Sequence, residues 1–357
     1  MNVMDKVSRP SSAESDFLGE NLIFLISQPR AGSTLLQKLC SNHPNITTSS
    51  ESWIMLNKVY ALRRNGIETE YNAVHARNAL MDFLSYHTDG LETYYKSIRA
   101  SACVLYQKAM HNAGKTCFLD KTPRYYLIIP ELYQIFPKAR FIFLLRNPLS
   151  VLASILSSWA KGYWPQLGRN KTDLIHAPVK ILEGIRLTSG AATVIHYEDL
   201  ISNPEQTLST LFRILGQPLE DLDTIFGGKN NLLGRMGDLD GSEEYTVPNG
   251  DSLLKWQSLT DSAQTQHFAQ QYLNALGEET VSSLGYDFNE MTSGINGAKT
   301  RAVPIVPWEL AVKQPHEKSW LENHYIDRVM ALQATGQYGC GRMAWHRLVA
   351  ATIRLLL

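Results

Sequence analysis

Residues 22–40 decide the fold of this chain and read Leu22-Ile-Phe-Leu-Ile-Ser-Gln-Pro-Arg-Ala-Gly-Ser-Thr-Leu-Leu-Gln-Lys-Leu-Cys40. Leu22 to Ile26 form a short apolar run, which is typical of a buried strand. A turn from Ser27 to Gly32 follows, and the leucines after it have the spacing of a helix. The first backbone N–H groups of a helix have no partner inside it, so they favour an anion bound ahead of them. The stretch therefore predicts a strand–turn–helix unit that binds an anion.

The residues of this turn differ from those of the common phosphate-binding loop. Gly32 lets the backbone approach a ligand closely, and Ser33 and Thr34 add hydroxyl donors. Arg30 adds a guanidinium that can bind an anion through two N–H groups. A Walker motif needs a lysine between its last glycine and its Ser or Thr, and this chain has none. The turn indicates a 5′-phosphate group without a triphosphate chain, although taken alone it also fits an ordinary strand-to-helix turn.

A second stretch, Phe141-Ile-Phe-Leu-Leu-Arg-Asn-Pro-Leu-Ser-Val-Leu-Ala-Ser154, has the same organisation. Its apolar start predicts another buried strand with Arg146 at the carboxyl end, and Pro148 is placed to begin a helix. We expect that helix to pack through a stripe with core spacing: Val151, Leu152, Ile155, Leu156 and Trp159. Ser154 lies off the stripe and can face the same crevice as Arg146. Ligands of open α/β sheets bind beyond the carboxyl ends of strands, so two anion sites are predicted there.

Pro29-Arg-Ala-Gly-Ser-Thr34 and Arg146-Asn-Pro…Ser154 resemble the two nucleotide signatures of sulfotransferases that use 3′-phosphoadenosine 5′-phosphosulfate (PAPS). The resemblance runs from about residue 21 to residue 288 and is closest in kind to the bacterial and tyrosylprotein-like branch. Shorter matches follow in the family's order: Asp120-Lys-Thr-Pro123, Tyr197-Glu-Asp-Leu200, Asn249 to Trp256, and Leu284-Gly-Tyr286. The resemblance implies an α/β fold in which a parallel sheet lies between two layers of helices. This three-layer α/β/α arrangement is the P-loop, nucleotide-kinase-like fold of sulfotransferases.

The resemblance also implies which residues bind PAPS and its product, adenosine 3′,5′-bisphosphate. The 5′ end is assigned to Arg30, Ala31, Gly32, Ser33 and Thr34, and the 3′-phosphate to Arg146 and Ser154. Tyr197 is expected near the adenosine, or alternatively only anchors the end of its strand. A Gly-rich loop supplies Arg235 and Ser242. Relatives often place a further arginine one turn after the serine, where this chain has Ser158, so Arg235 is expected to supply that charge.

Three residues are expected to carry the chemistry, because a hydroxyl acceptor is a weak nucleophile until its proton is removed. By resemblance, Glu51 is the general base, Lys121 stabilises the leaving phosphate and Arg30 assists at the transferred group. The alternative for Glu51 is a cap on the following helix, after Ser49. His75 and His87 are two more possible bases. Sulfuryl transfer parallels phosphoryl transfer in needing positioning and charge stabilisation, so these residues require no metal.

The acceptor is the least determined part of the function. His75, His87, Tyr163, Trp164 and His176 are weak acceptor-site predictions, and each lone histidine is alternatively a surface or packing residue. We expect a small specialised metabolite sulfated on a hydroxyl, or on an amine or carbamoyl nitrogen. A hydroxyacyl chain on an acyl carrier protein is the alternative. Two other classes stay open, namely a nucleoside-phosphate kinase and a non-catalytic nucleotide-binding module.

Composition limits the remaining classes. The 357 residues carry a formal net charge of zero, which argues against general nucleic-acid binding. The four cysteines lack Cys-x-x-Cys spacing, and no apolar run is long enough for a membrane span or a secretory signal, so a cytoplasmic protein is expected. The predicted organisation is a polar segment at 1–20, a sulfotransferase domain at 21–290 and a C-terminal extension at 291–357 that packs or contacts a partner. The oligomeric state is left open.

Overall fold

The fold is built on a five-stranded parallel sheet in the computed structural model, which describes residues 17–160, 167, 170–219, 222–228 and 250–295. The strands are β1 Leu22–Ser27, β2 Ile46–Thr48, β3 Cys117–Lys121, β4 Arg140–Leu145 and β5 Ala192–His196, in the order β2-β3-β1-β4-β5. Phe24 of β1 lies opposite Asp120 on one side and Phe141 on the other. Because every pairing is parallel, the carboxyl ends of all five strands meet at one edge of the sheet.

Helices connect these strands. In the described part of the chain they are α1 Ser33–Ser41, α2 Ile54–Tyr60, α3 Ala73–Ser85, α4 Gly90–Ala113, α5 Ile129–Ile135, α6 Pro148–Ser158, α7 Ala177–Leu187, α8 Tyr197–Ser202, α9 Pro204–Ile214, α10 Asp223–Gly227, α11 Ala263–Leu276, α12 Glu278–Ser283 and α13 Phe288–Ile295. Short 3₁₀ segments occupy Pro123–Leu127 and Gly250–Thr260, and a π-helical turn occupies Thr172–His176. None of the helices described here is both long and apolar enough to cross a bilayer.

The side chains of β1 alternate between two apolar layers, as expected for a strand with helices on both sides. Ile23 and Leu25 belong to a buried cluster with leucines of α1, α8 and α9. Phe24 points to the opposite face, where its ring lies 5.8 Å from that of Phe136 and 5.5 Å from that of Phe141. Helices therefore cover both faces of the sheet, and the predicted three-layer arrangement is confirmed.

The described residues fall into two compact units. The first contains residues 17–59 and 82–295, with the whole sheet. The second contains residues 60–81, where the Arg77 side chain donates from Nε to the carbonyl oxygen of Leu62 at 3.2 Å.

One core prediction is wrong. Trp159 was expected to continue the buried stripe of α6, but its side chain is 39% exposed. α6 ends at Ser158, and Trp159 is its C-cap, whose backbone N–H still donates to the carbonyl oxygen of Ile155 at 2.9 Å. Its side chain therefore lies at the end of the helix, past the part of the stripe in which Ile155 and Leu156 are buried. The guanidinium of Arg30 lies over the Trp159 ring, with Cζ 6.0 Å from the ring centroid.

Candidate active site

The carboxyl ends of the five strands bring most of the described candidate residues together. Each strand end supplies one part: Arg30 and Gly32 after β1, Glu51 after β2, Lys121 at the end of β3, Arg146 after β4 and Tyr197 after β5. This is the edge at which open α/β sheets bind ligands, and β1 lies at its centre.

The turn after β1 is shaped by two residues with left-handed backbone. Arg30 has φ +70° and Gly32 has φ +96°, and Gly32 precedes the first residue of α1. A Cβ added to Gly32 would lie 2.3 Å from Cε2 of Tyr197, closer than carbon atoms can approach. Only glycine fits between this turn and the tyrosine ring, so the ring packs directly against the backbone at the amino end of α1. Ala31 and Ser33 are buried and Thr34 is partly exposed.

Arg146 joins the turn to the late part of the domain. Its Nη1 donates to the carbonyl oxygen of Arg30 at 3.0 Å, and its Nη2 donates to that of Ser252 at 2.7 Å. The guanidinium lies over the Tyr197 ring at 4.3 Å, and the hydroxyl of Tyr197 is 2.8 Å from Ser252 Oγ. Arg146 is 6% exposed, and this burial lowers its pKa. Its Nε is buried and has no hydrogen-bond partner in the described part of the chain.

Ser154 lies beside Arg30, which donates from Nε to Ser154 Oγ at 3.2 Å. Ser154 is 3% exposed, and its backbone carbonyl accepts from Ser158 Oγ at 2.5 Å. Arg30, Ser154 and Arg146 therefore form a connected group of polar side chains above β1 and β4.

Lys121 and Glu51 form a buried ion pair on the other side of β1. Lys121 Nζ lies 3.0 Å from Glu51 Oε1 and 3.5 Å from Thr34 Oγ1. The Lys121 side chain is 2% exposed and that of Glu51 is 15% exposed. Trp53 donates its indole N–H to Glu51 Oε2 at 3.1 Å. The first N–H of α2, on Ile54, contacts Ser52 Oγ at 3.4 Å, so the capping contact expected as the alternative for Glu51 belongs to Ser52.

Asp120, which precedes Lys121, was not predicted to matter. It is 3% exposed, and its carboxylate accepts four hydroxyl hydrogen bonds: from Tyr106 at 2.7 Å, Ser52 at 2.8 Å, Tyr125 at 3.0 Å and Thr122 at 3.1 Å. Burial raises the pKa of Asp120, while the hydroxyl donors act in the opposite direction. The sequence held a signal for its burial: neighbouring residues of a strand point to opposite faces of the sheet, so Asp120 and Lys121 cannot share one face.

Glu198 is a second residue that sequence reasoning missed. Its Oε1 accepts from the backbone N–H of Asn147 at 2.9 Å, and its Oε2 accepts from the Tyr286 hydroxyl at 2.8 Å. Burial and the Glu198 carboxylate raise the pKa of Tyr286. Two of the segments that carried the family resemblance, around Tyr197 and Tyr286, therefore meet at the turn that follows β4.

Three of the predicted acceptor residues are histidines within the described ranges, and all three are exposed. His87 and His176 are exposed, and the His87 ring packs edge-on against Phe83 at 5.3 Å. His75 is exposed near the start of α3, in the second unit. Four predicted residues lie outside the described part of the chain: Tyr163, Trp164, Arg235 and Ser242. Across the described ranges, no group of three or more His, Cys, Asp and Glu side chains is placed to hold a metal ion.

Fold and site together define an α/β protein with a P-loop-like strand–turn–helix unit at the carboxyl edge of a parallel sheet. The chain belongs to the sulfotransferase family, whose profile matches residues 22–221. The predicted family is confirmed, and with it the class of transferase enzymes.

Relatives and one solved structure agree with this assignment. The chain is 36% identical over 138 residues to the nodulation protein NoeE of Sinorhizobium fredii, over 39% of this chain and 32% of that protein's length. It is 22% identical over 281 residues to a putative protein-tyrosine sulfotransferase of Caenorhabditis briggsae, over 74% of this chain and 91% of the relative. The sulfotransferase domain of the Synechococcus PCC 7002 olefin synthase shares the fold, with a TM-score of 0.51 at 19% identity, over 75% of this chain and 96% of that domain.

Proposed function

We propose that this chain transfers the sulfuryl group of PAPS to an acceptor hydroxyl, or to an amine or carbamoyl nitrogen, and releases adenosine 3′,5′-bisphosphate. The observation that carries the proposal is the position of Lys121. Its ammonium lies between Thr34 Oγ1 of the anion-binding turn and Glu51 Oε1. A cation between an anion site and a carboxylate base is the arrangement that sulfuryl transfer to a hydroxyl requires.

The residues around the turn fit the sulfated nucleotide. Gly32 lets the Tyr197 ring pack directly against the turn at the amino end of α1, and the buried Nε of Arg146 has a donor to offer an anion. We assign the 5′-phosphosulfate to Arg30 and residues 31–34, the 3′-phosphate to Arg146 and Ser154, and the nucleoside to the neighbourhood of Tyr197. When bound, PAPS supplies the sulfuryl group that is transferred to the acceptor.

The chain's own residues then have distinct tasks. Glu51 accepts the proton that the acceptor hydroxyl loses as its oxygen bonds to sulfur. Lys121 donates to the oxygen of the departing phosphate, where negative charge accumulates as the sulfur–oxygen bond breaks. Arg30 stabilises the transferred group from the turn, with its Nε held by Ser154.

The sequence of the turn argues against the alternative function, a nucleoside-phosphate kinase, because Gly32 is followed by Ser33 where a Walker loop has lysine. Two acceptor classes remain within the proposal, a small specialised metabolite and a hydroxyacyl chain tethered to a carrier protein. The olefin synthase domain that shares the fold belongs to a synthase by its name, and a likeness at 19% identity bears on the fold alone. An acceptor panel therefore has to contain both classes.

The first test is the melting temperature of the purified chain with adenosine 3′,5′-bisphosphate, AMP or ATP–magnesium, because a ligand that binds only the folded state raises it. We expect a rise with the bisphosphate that Arg146→Ala abolishes. Arg140→Ala is the matched control, since Arg140 is exposed at the opposite end of the same strand. A rise with ATP–magnesium alone would overturn the proposal in favour of a kinase.

The second test separates an enzyme from a binding module. Wild-type chain is incubated with [35S]PAPS, and labelled products are followed with water, the metabolite panel and a hydroxyacyl carrier protein as acceptors. Glu51→Gln and Lys121→Ala are expected to lower the rate at least about 100-fold, the usual contribution of a positioned base or charge. Binding of the bisphosphate with no labelled product from any acceptor would support the non-catalytic module instead.

A further inference from the structure

Trp53 has a backbone conformation that its side chain disfavours. Its φ is +52°, in the left-handed region that non-glycine residues seldom adopt, and such a residue costs about 1–3 kcal/mol. Conformations of this kind persist only where surrounding contacts impose them. Trp53 lies two residues after Glu51 and donates its indole N–H to Glu51 Oε2 at 3.1 Å. The unusual backbone therefore turns the indole back onto the carboxylate.

An ion pair with a buried carboxylate and a partly exposed guanidinium contacts the indole ring. The Arg124 guanidinium lies over the Trp53 ring, with Cζ 5.8 Å from the centroid. Arg124 is itself held by Asp173, through Nε to Oδ1 at 3.2 Å and Nη2 to Oδ2 at 2.8 Å. This two-bond geometry fixes the plane of the guanidinium as well as its position.

Asp173 is anchored to the centre of the sheet. Its side chain is 3% exposed, and its Oδ1 also accepts from the Tyr126 hydroxyl at 2.7 Å. Its backbone carbonyl accepts from Gln28 Nε2 at 3.0 Å, and Gln28 directly follows β1. A continuous set of contacts thus runs from the turn after β1, through Asp173, Arg124 and Trp53, to Glu51.

The two oxygens of Glu51 have different kinds of donor. Oε1 faces Lys121, a cation that the proposed reaction directs toward the departing phosphate. Oε2 faces the Trp53 indole, which has no charge to offer a phosphate. When Lys121 turns to its substrate, Trp53 is the contact that keeps the carboxylate in place.

We propose that Trp53 is a positioning residue for Glu51, and that the Arg124–Asp173 pair holds it in that role. The inference rests on the proposed function, because it assigns Trp53 to the carboxylate proposed as the base. Trp53 orients the carboxylate without touching the reacting atoms. A tryptophan that only stabilises the fold would affect unfolding and leave the rate of transfer unchanged.

The first experiment needs no acceptor. The seven tryptophans are labelled with 15N, and the Trp53 indole resonance is assigned by its loss in Trp53→Phe. Glu51→Gln is expected to move that resonance, because a neutral amide replaces the carboxylate that accepts the N–H. Arg124→Lys is expected to move it too, since lysine cannot make the two-bond contact to Asp173. Arg140→Ala is the control that leaves it unmoved, and an indole signal unchanged in Glu51→Gln would overturn the inference.

The second experiment measures release of [35S]sulfate from [35S]PAPS, with water as the acceptor. Trp53→Phe retains an aromatic ring but loses the N–H donor together with part of the indole, so we expect kcat to fall about 10- to 100-fold, the scale of a misplaced catalytic group. KM for PAPS and the thermal shift with the bisphosphate stay unchanged. If Glu51→Gln is inactive and Trp53→Phe is fully active, the positioning role fails alone. If Glu51→Gln is fully active, the proposed base fails.

Discussion

Replacing Asp120 by asparagine tests whether a buried carboxylate organises the region that carries Glu51 and Lys121. Four hydroxyl groups donate to this side chain, and two of them belong to Tyr106 and Tyr125, which are 1% and 0% exposed. Tyr106, Tyr125 and Ser52 all donate to Oδ2, and Thr122 donates to Oδ1. An asparagine keeps one acceptor oxygen and presents an NH₂ group where the other oxygen was. With its oxygen toward the phenols, the amide turns three hydrogen bonds to a charged acceptor into bonds to a neutral one, and its NH₂ group faces Thr122.

The size of the effect follows from that loss. A hydrogen bond to a charged group contributes about 1.5–3 kcal/mol and a neutral one about 0.5–1.5 kcal/mol, so three weakened bonds lose about 3–4 kcal/mol together. Removing a buried charge offsets part of this penalty. We therefore expect Asp120→Asn to lower the free energy of unfolding by about 2–4 kcal/mol.

Urea unfolding, followed by circular dichroism, measures the change, provided that the denaturant slope stays constant. Asp199→Asn is the matched control, because the Asp199 side chain is 67% exposed, and it should stay within about 0.5 kcal/mol of wild type. In the double variant with Tyr106→Phe the penalty should be smaller than the sum, since one of the weakened hydrogen bonds is already gone. A loss below about 1 kcal/mol for Asp120→Asn would refute the reasoning, because the four hydroxyls would not depend on a carboxylate acceptor.

Three further predictions concern the site and the turn after α1. Gly32→Ala should lower the free energy of unfolding by about 1–3 kcal/mol, because the residue has φ +96° and the new Cβ would clash with Tyr197. It should also abolish the thermal shift with the bisphosphate, and unchanged binding would contradict this prediction. Glu51→Gln should lower the free energy of unfolding in urea by about 3 kcal/mol, because it leaves the Lys121 ammonium unpaired. Adding Lys121→Met should recover most of that loss. A double variant whose loss equals the sum of the two single-variant losses would count against a buried ion pair. Burial lowers the pKa of His43 below 6.5, so the folded state binds the proton less tightly than the unfolded state does. The free energy of unfolding should therefore fall as the pH drops below about 6.5, by at most about 1.4 kcal/mol per pH unit. His43→Gln should flatten that dependence in urea unfolding.

Two strands of the sheet, β1 and β4, were predictable from the sequence because they are apolar runs followed by polar residues, whereas the short β2 was not predicted. Arg30 and Arg146 each follow such a run, and in a parallel sheet residues at the carboxyl ends share one edge. The connection of Arg30 to Ser154 and to Arg146 agrees with that expectation. The roles assigned to these residues in binding and transfer stay predictions.

Contacts between distant parts of the chain could not be predicted in this way. Arg124 and Asp173 are separated by 49 positions, and no spacing rule couples a charge after β3 to one in a π-helical turn. The left-handed backbone of Trp53 also has no sequence signal, because tryptophan does not favour it. Trp159 was misassigned for a related reason, since the helical period was extended past the last residue of the helix.

The order of the strands has a consequence for how the chain is made. All six residues of β1 are buried, yet β1 ends at Ser27 and its two neighbours begin only at Cys117 and Arg140. During synthesis the amino-terminal apolar strand emerges long before either neighbour exists, and an unpaired apolar edge favours aggregation. A truncated chain that stops before β4 would keep one side of β1 permanently open. The shortest soluble fragment of this protein must therefore extend beyond Leu145.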